Sequence, residues 1–277
     1  MNKQWIFAAV VVSGLCAAAS ADQIDSVGSL IYHLDAGSGV SYDASNVVSN
    51  WASTKGSYSF SQDTSNKKPT YVSNAINNKA AISFNGDTTG GVGGAYAPNA
   101  SQLVLNNSTD VKTLILVCNT TSANGLDGVW GQANGDFGLR RNDNTQWRGL
   151  VEGSDPNDFA YQANGGSMTI NGTATYTQAT NSWGIIVATC YDTHSLSSTA
   201  LGEYFVSGGV YPRPWGGQIA ELAAFSGTLT TAQTNAIVSE LGTKYGITVS
   251  NVPEPTSMAI ILTGGIALVA YAWRRRK

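Results

Sequence analysis

Short runs of alternating apolar and polar residues, separated by turn residues, dominate the middle of the chain. Residues 30–35 place every second side chain on one face and end at a turn over residues 36–39, and residues 80–84 repeat the pattern before Asn85 and Gly86. Alternation with a period of two is typical of a strand with one buried face. Further runs of this kind predict strands over residues 58–61, 70–72, 129–131, 137–140, 147–151, 168–170, 203–206 and 219–225.

Two longer runs differ because they are apolar on both faces. Residues 114–118 and 185–190 contain almost no polar side chain, which predicts central strands covered on two sides. About a dozen short strands with turns between them are best accommodated by two packed antiparallel sheets. The pattern therefore predicts an all-β sandwich.

One amphipathic helix is predicted after the last strand. Thr230 and Gln233 form a Thr-x-x-Gln capping box at its start, and Gly246 supplies its C-terminal stop. Apolar residues three or four positions apart define one face: Ile237, Val238, Leu241 and Tyr245. We expect this helix to pack over an edge or an end of the sandwich.

The N-terminus has the features of an export signal. Residues 1–21 contain Lys3, an apolar run and a small-x-small ending, which predicts cleavage between Ala21 and Asp22. An N-terminal transmembrane helix is the alternative, but the run is short and ends in small residues. One domain, residues 22–250, is predicted to follow.

The C-terminal tail, residues 251–277, combines three features in a fixed order. A stiff Pro-Glu-Pro stub precedes residues 256–273, an uncharged stretch long enough to span a bilayer, and a basic cluster follows that the positive-inside rule keeps cytoplasmic. The residues of the stub and the cluster are Pro253, Glu254, Pro255, Arg274, Arg275, Arg276 and Lys277. This tail resembles the PEP-CTERM sorting signal of Gram-negative bacteria that make exopolysaccharide. The resemblance implies an exosortase partner, a membrane-anchored stage and delivery to the cell surface or matrix.

Short segments of the middle region also occur in a recognisable order. They are the Leu-Asp-Ala of residues 34–36, Trp51, Pro69 and residues 78–86, 113–117, 217–222 and 244–247. This order resembles the LamG-like jelly roll of the concanavalin A-like lectin and glucanase superfamily. The resemblance implies a curved two-sheet antiparallel sandwich that often binds carbohydrate, although a fold does not by itself define a function.

The charge balance limits the class of partner. The chain carries 15 Lys and Arg and 18 Asp and Glu; without Lys3, the four C-terminal cations and Glu254, 10 and 17 remain, a net charge of −7. Such a domain repels nucleic acid and anionic lipid. The charge therefore argues against nucleic acid as a partner, and polysaccharide is the partner that the two resemblances imply.

The residues that common catalytic mechanisms need do not form a pattern. Glycosidases of the resembled superfamily use paired carboxylates in a Glu-x-Asp-x-x-Glu run, and no such run is present. The glutamates between the signal peptide and the tail are predicted to be structural or surface residues: Glu152, Glu203, Glu221 and Glu240. His33 and Asp35 share a strand face but supply too few ligands for zinc, so His33 is predicted to be a hydrogen-bonded surface residue. We find no nucleophile elbow and no phosphate-binding loop, and predict no catalytic residue and no cofactor.

Two features leave alternatives open. Asp127, Asp136 and Asp143 offer oxygen ligands of the kind that calcium takes, yet Asp is also an ordinary turn residue. Cys118 and Cys190 each close an apolar strand. If those strands are antiparallel neighbours, the two sulfur atoms lie roughly 15 Å apart, too far for a disulfide; strands running the same way would permit one.

Aromatic side chains are the remaining candidates for ligand contact. Trp and Tyr rings suit a partly wet platform for sugars, and the candidates are Trp130, Trp147, Trp183, Trp215, Tyr161, Tyr204 and Tyr211. For each single tryptophan a position in the core is the alternative to ligand contact. Trp215 is the preferred candidate for an exposed one, because two prolines indicate a loop over residues 211–215. Trp147, Arg148 and Tyr211 are predicted to line a shallow groove with it.

These observations favour a noncatalytic exported surface or matrix protein that binds polysaccharide. A structural or adhesive surface protein without sugar specificity is the alternative. A glycan-active hydrolase or lyase is a third hypothesis, against which the missing acid pair stands.

Overall fold

The computed structural model describes residues 22–86, 99–121, 127–133, 137–141, 146–151, 167–175, 177–206 and 211–250. Within them, every pairing between strands is antiparallel. The strands are Leu30–Asp35 (β1), Val40–Tyr42 (β2), Val48–Ala52 (β3), Ser59–Ser61 (β4), Thr70–Ile76 (β5), Lys79–Asn85 (β6), Leu103–Leu105 (β7), Thr109–Thr120 (β8), Asp127–Gln132 (β9), Phe137–Arg141 (β10), Trp147–Val151 (β11), Ser167–Ile170 (β12), Thr173–Ala174 (β13), Trp183–Leu196 (β14), Thr199–Leu201 (β15), Glu203–Val206 (β16), Tyr211–Pro214 (β17) and Gly216–Phe225 (β18). The helical segments are a 3₁₀ turn, Ser65–Lys67, and the α-helix Thr231–Tyr245 (α1).

The strands form two large sheets and a two-stranded arm. The first sheet has the order β13-β12-β14-β8-β18-β6-β5, and the second has the order β11-β10-β9-β15-β7-β4-β3-β2. Strands β16 and β17 pair with each other as the arm. Mostly β structure in two antiparallel sheets confirms the predicted fold class and is consistent with a jelly-roll sandwich, while the LamG-like identity stays a prediction.

Strand β18 organises the first sheet because it pairs on both sides. Strand β8 lies along one side of it. On the other side, β6 pairs with residues 216–219 and β1 pairs with residues 221–225, so these two strands share one edge end to end. This arrangement places Asp35 opposite Glu221 in the ladder.

The first sheet is covered on both faces, as the doubly apolar runs predict. Leu114 and Leu116 of β8 join the inner core between the two sheets, which also contains Trp51 and Phe60 of the second sheet. The alternate residues Ile115 and Val117 join an outer core on the opposite face. Burial on both sides explains why this strand carries no polar alternation.

The outer core is closed by α1 and by the N-terminal residues of the domain. Ile237, Val238 and Leu241 of α1 pack in it together with Ile24 and Val27. The predicted capping box is present: the amide of Gln233 donates to Thr230 Oγ1 at 3.2 Å, and the Gln233 side chain accepts from the Thr230 amide at 2.9 Å. The helix ends where predicted, since Gly246 is left-handed with φ 66°.

The antiparallel pairing of β8 with β14 keeps the two cysteines too far apart for a disulfide. The strands are antiparallel, with Cys118 opposite Gly184 and Thr113 opposite Thr189. Cys118 and Cys190 therefore lie near opposite ends of the pair, and both are buried thiols. Burial raises the pKa of the Cys118 thiol well above its usual range, which keeps it protonated.

The predicted signal peptide and membrane anchor lie outside the described residues. Within residues 22–250, as far as they are described, no helix is long and apolar enough to cross a bilayer. The anchor over residues 256–273 thus stays a prediction from sequence.

Candidate functional site

The tryptophan selected from the sequence as a surface residue lies in the core. Trp215 has 0% of its surface exposed, and its ring packs against Phe84 with the ring centroids 5.9 Å apart. Residues 211–214 form strand β17, so the predicted loop is wrong. The backbone amide of Trp215 donates to the carbonyl of Gly202 at 2.8 Å, which fixes the residue between the arm and β18. A side chain in this position cannot stack on a ligand.

The predicted groove around Trp147 is not an exposed one. Trp147 also has 0% of its surface exposed, and its indole N–H donates to Gln178 Oε1 at 2.8 Å. Arg148 and Tyr211 lie in β11 and β17, but their side chains fall outside the described part of the structure. The carbohydrate platform predicted from these residues is therefore not assembled around either tryptophan.

One of the three calcium candidates, Asp127, lies in the described part of the structure, and only its backbone is described. Asp127 begins β9 and has Arg141 as its ladder partner. Asp136 and Asp143 lie outside the described residues. The calcium prediction accordingly stays untested.

Among the described tryptophans, Trp183 is the one that reaches the surface. It starts β14 and is partly exposed, whereas Trp51, Trp130, Trp147 and Trp215 are fully buried. Its ring packs against the margin of the outer core. The sequence contained a signal for this position, since Trp183 follows the turn residues Asn181 and Ser182 directly and precedes the apolar run.

Trp183 lines an open cleft of about 560 Å³ on the outer side of the first sheet. We call it the Trp183 cleft. Three parts of the chain form it: the β5–β6 turn with Asn77, the β12–β13 turn with Asn171, and the end of α1 with Tyr245 and Thr248. An aromatic wall beside amide and hydroxyl groups has the mixed character that sugar rings match, because they expose C–H faces and hydroxyl edges.

The two asparagines of the Trp183 cleft are held in place by the backbone. Both are left-handed, Asn77 with φ 44° and Asn171 with φ 52°. Asn77 Nδ2 donates to the carbonyl of Lys244 at 3.1 Å, and Asn171 Oδ1 accepts from the amide of Ile185 at 2.8 Å. These bonds tie both turns to neighbouring elements, so the cleft is largely preformed.

A buried charged cluster lies behind the cleft, where β1, β18 and α1 meet. Glu221 is its centre, with 2% of its surface exposed. Its Oε1 accepts from His33 Nε2 at 2.7 Å, and its Oε2 accepts from Lys244 Nζ and the Tyr245 hydroxyl, both at 2.6 Å. Lys244 Nζ also donates to Asp35 at 2.8 Å, which ties the end of β1 to the same cluster.

His33 is buried rather than on the surface, which corrects the sequence prediction. It has 1% of its surface exposed, and its Nδ1 lies 2.9 Å from Asp25 Oδ1. It does share a face with Asp35, because both side chains reach the Glu221 cluster. The prediction of exposure failed because the partner Glu221 is 188 residues away in sequence.

The protonation states in the cluster follow from these contacts. Burial alone would lower the pKa of His33, but the hydrogen bond and charge of Glu221 outweigh it and raise that pKa above 6.5. Burial would raise the pKa of Glu221, but His33 and Lys244 bring it below its usual value of 4.5. Burial, reinforced by the charge of Glu221, raises the pKa of Tyr245. Between pH 4.5 and 6.5 these shifts favour an imidazolium, a carboxylate, an ammonium and a neutral phenol.

This cluster holds structure in place and offers no site for acid–base catalysis. Both oxygens of Glu221 are occupied, and neither Glu221 nor His33 is accessible. Tyr245 connects the two regions, since its hydroxyl bonds Glu221 while the residue lines the Trp183 cleft. The cluster therefore positions the end of α1 that forms one wall of the cleft.

The class of protein defined by these observations is a two-sheet antiparallel β-sandwich with one capping helix. Residues 251–277 match the family model of the PEP-CTERM protein-sorting motif. This match confirms the predicted sorting tail and indicates an exported protein that is processed at the membrane, with an exosortase as the enzyme that recognises the tail. No curated protein matches the chain.

Proposed function

We propose that the chain is a noncatalytic surface or matrix protein of a Gram-negative bacterium whose sandwich binds polysaccharide in the Trp183 cleft. The partly exposed Trp183 in an open polar cleft is the observation that carries this proposal. The net charge of the domain supports an uncharged or weakly charged ligand. The openness of the cleft to solvent also suits an extended chain, which need not enter a closed pocket.

Replacing Trp183 by alanine is expected to weaken binding to the exopolysaccharide of the producing cell by roughly tenfold, the equivalent of about 1.4 kcal/mol. Loss of the ring contact with sugar C–H faces is the physical reason. Affinity electrophoresis of the purified chain, starting at Asp22 and kept in detergent, through gels with and without the polysaccharide measures the change.

Tyr42→Ala is the matched control for this experiment. Tyr42 is 48% exposed, its ring stacks on that of Tyr71 with the centroids 4.2 Å apart, and neither tyrosine is among the residues that line the cleft. The mobility of the Tyr42→Ala variant in the polysaccharide gel should equal that of the wild type. Equal retention of wild type and Trp183→Ala would refute the cleft as the binding site, and no retention of either would favour a structural or adhesive role.

The tail supports a second, independent test of export. Replacing Pro253, Glu254 and Pro255 by alanine should leave residues 256–277 attached, because the sorting enzyme loses its recognition motif. The intact mass of the wild-type protein from cells is expected to correspond to a chain without residues 1–21 and without the basic C-terminus. The variant should keep that C-terminus and remain in the membrane fraction. An identical C-terminus in both proteins would contradict exosortase processing.

A further inference from the structure

The residues directly after the predicted signal cleavage site are built into the domain. Ile24 and Val27 are buried in the outer core against α1, with 1% and 7% of their surfaces exposed. Asp22 Oδ1 accepts from the amides of Ile24 at 2.9 Å and Asp25 at 3.3 Å, and the carbonyl of Asp22 accepts from the amide of Ser26 at 3.2 Å. Asp22 therefore initiates a compact turn rather than a loose end.

This turn delivers the chain to a region with a surplus of carboxylates. The acids that face it from the turn, β1, β18 and α1 are Asp22, Asp25, Asp35, Glu221 and Glu240, and the cations are His33 and Lys244. His33 and Lys244 are shared among Asp22, Asp25, Asp35 and Glu221. One further positive charge would reduce the repulsion in this region.

Glu240 is the carboxylate with the least compensation. Its Oε2 accepts the backbone amide of Gln23 at 2.8 Å, and within the described residues no Lys, Arg or His lies at ion-pair distance from it. Burial and the anions of Asp22 and Glu221 raise the pKa of Glu240, and the Gln23 amide and the more distant charge of Lys244 offset this rise only in part, so the ionised form is disfavoured. A cation beside Gln23 would lower the pKa of Glu240 and favour its ionised form.

We propose that removal of the signal peptide supplies that cation: the α-ammonium of Asp22, created by cleavage after Ala21, forms an ion pair with Glu240 and fastens the N-terminal turn to α1. Water hydrolyses the Ala21–Asp22 peptide bond, the carboxylate of Ala21 leaves with the signal peptide, and the new amine of Asp22 takes up a proton. In the precursor the same nitrogen is a neutral amide.

The backbone places this nitrogen within reach of its partner. Nitrogens of adjacent residues are at most about 3.7 Å apart, so with Gln23 N 2.8 Å from Glu240 Oε2 the nitrogen of Asp22 lies within about 6.5 Å of that oxygen. This value is an upper limit, and because Asp22 is only partly exposed, a shift of its backbone by a few ångströms is sufficient to bring the ammonium to ion-pair distance from Glu240. The exported domain therefore reaches its full stability only when the signal peptide is removed. This inference does not depend on what the Trp183 cleft binds.

The test compares two forms of the purified chain in detergent, one starting at Asp22 and one starting at Ser20. Both have a free amine, but in the second the charge is displaced by two residues. The Asp22 form should melt about 2–4 °C higher, the shift that about 1 kcal/mol produces in a domain of this size. This difference should disappear in Glu240→Gln and persist in Asp63→Asn, an exposed acid elsewhere.

Equal melting temperatures of the two wild-type forms would overturn the proposal, as would a difference that survives in Glu240→Gln. A second measurement does not depend on the folding of any variant: the ¹³C-detected pKa of the Glu240 carboxyl should be lower in the Asp22 form than in the Ser20 form. N-terminal sequencing of the protein from cells should give Asp22, and a different first residue would also refute the mechanism.

Discussion

Replacing Glu221 by alanine should destabilise the domain by about 3–5 kcal/mol, the usual cost of leaving buried partners without their counter-charge. His33 would keep two acids beside its Nδ1, Asp25 at 2.9 Å and Asp22 at 3.9 Å, and would lose the hydrogen bond at its Nε2. Lys244 would retain Asp35, and the Tyr245 hydroxyl would lose its short bond. Urea unfolding followed by tryptophan fluorescence measures the loss.

Glu240→Gln is the control for this prediction in a chain that starts at Ser20, where the terminal amine is displaced. The introduced amide side chain would still offer an oxygen to the Gln23 amide, so we expect a change below about 0.5 kcal/mol. A small effect of Glu221→Ala, similar to that of Glu240→Gln, would show that the cluster contributes little to stability.

The same cluster makes stability depend on pH in a defined window. The folded pKa of His33 is raised, so its contribution is complete below 6.5 and is lost as the pH rises through the folded pKa. The folded pKa of Glu221 is lowered, so its contribution is complete above 4.5 and is lost as the pH falls through the folded pKa. Between these values both groups contribute fully, and Glu221→Ala should flatten the decline on both sides.

Replacing Trp215 by alanine should cost about 3–5 kcal/mol in the absence of any ligand, because the change leaves a large cavity between Phe84 and the arm. Trp215→Phe should retain most of the stability. The indole N–H has no acceptor among the described residues, so losing it removes no hydrogen bond. Thermal and urea unfolding of the two variants check this order.

A ligand-contact role would give the opposite result. If a tryptophan is exposed and contacts the ligand, replacing it by alanine changes the free energy of unfolding by no more than about 0.5 kcal/mol and causes a loss of polysaccharide binding. For Trp183→Ala we expect the loss of binding together with a smaller loss of stability than that of Trp215→Ala, because the Trp183 ring is partly exposed and packs at the margin of the outer core. Stability and polysaccharide binding, measured for both alanine variants, therefore distinguish the core tryptophan from the surface one. An unchanged stability of Trp215→Ala would contradict the burial of Trp215.

Local pattern was sufficient where an element is specified by neighbouring residues. The capping box of Thr230 and Gln233, the apolar face of α1 and the Gly246 stop lie within a few turns, and all were confirmed. The doubly apolar strands β8 and β14 were also predicted, because burial on both faces removes the polar alternation. Shorter strands were missed: β3, with the sequence Val-Ser-Asn-Trp-Ala, is too polar to identify without its neighbours.

Local sequence pattern could not predict which side chains are exposed to solvent. Two prolines beside Trp215 indicated a loop, but that segment pairs with β16 as strand β17, and the Trp215 indole is buried. Partners far apart in sequence are equally invisible to pattern, as His33 and Glu221 show.

Residues close together in the chain specify the sorting tail, the all-β class, the two-sided central strands and the capped helix, so these features could be predicted from local pattern alone. Contacts between distant segments settle which tryptophan reaches solvent, that the two cysteines lie apart, and that β1, β18 and α1 enclose a charged cluster. Burial and charge pairing depend on strands that the fold brings together, and no local pattern records those contacts.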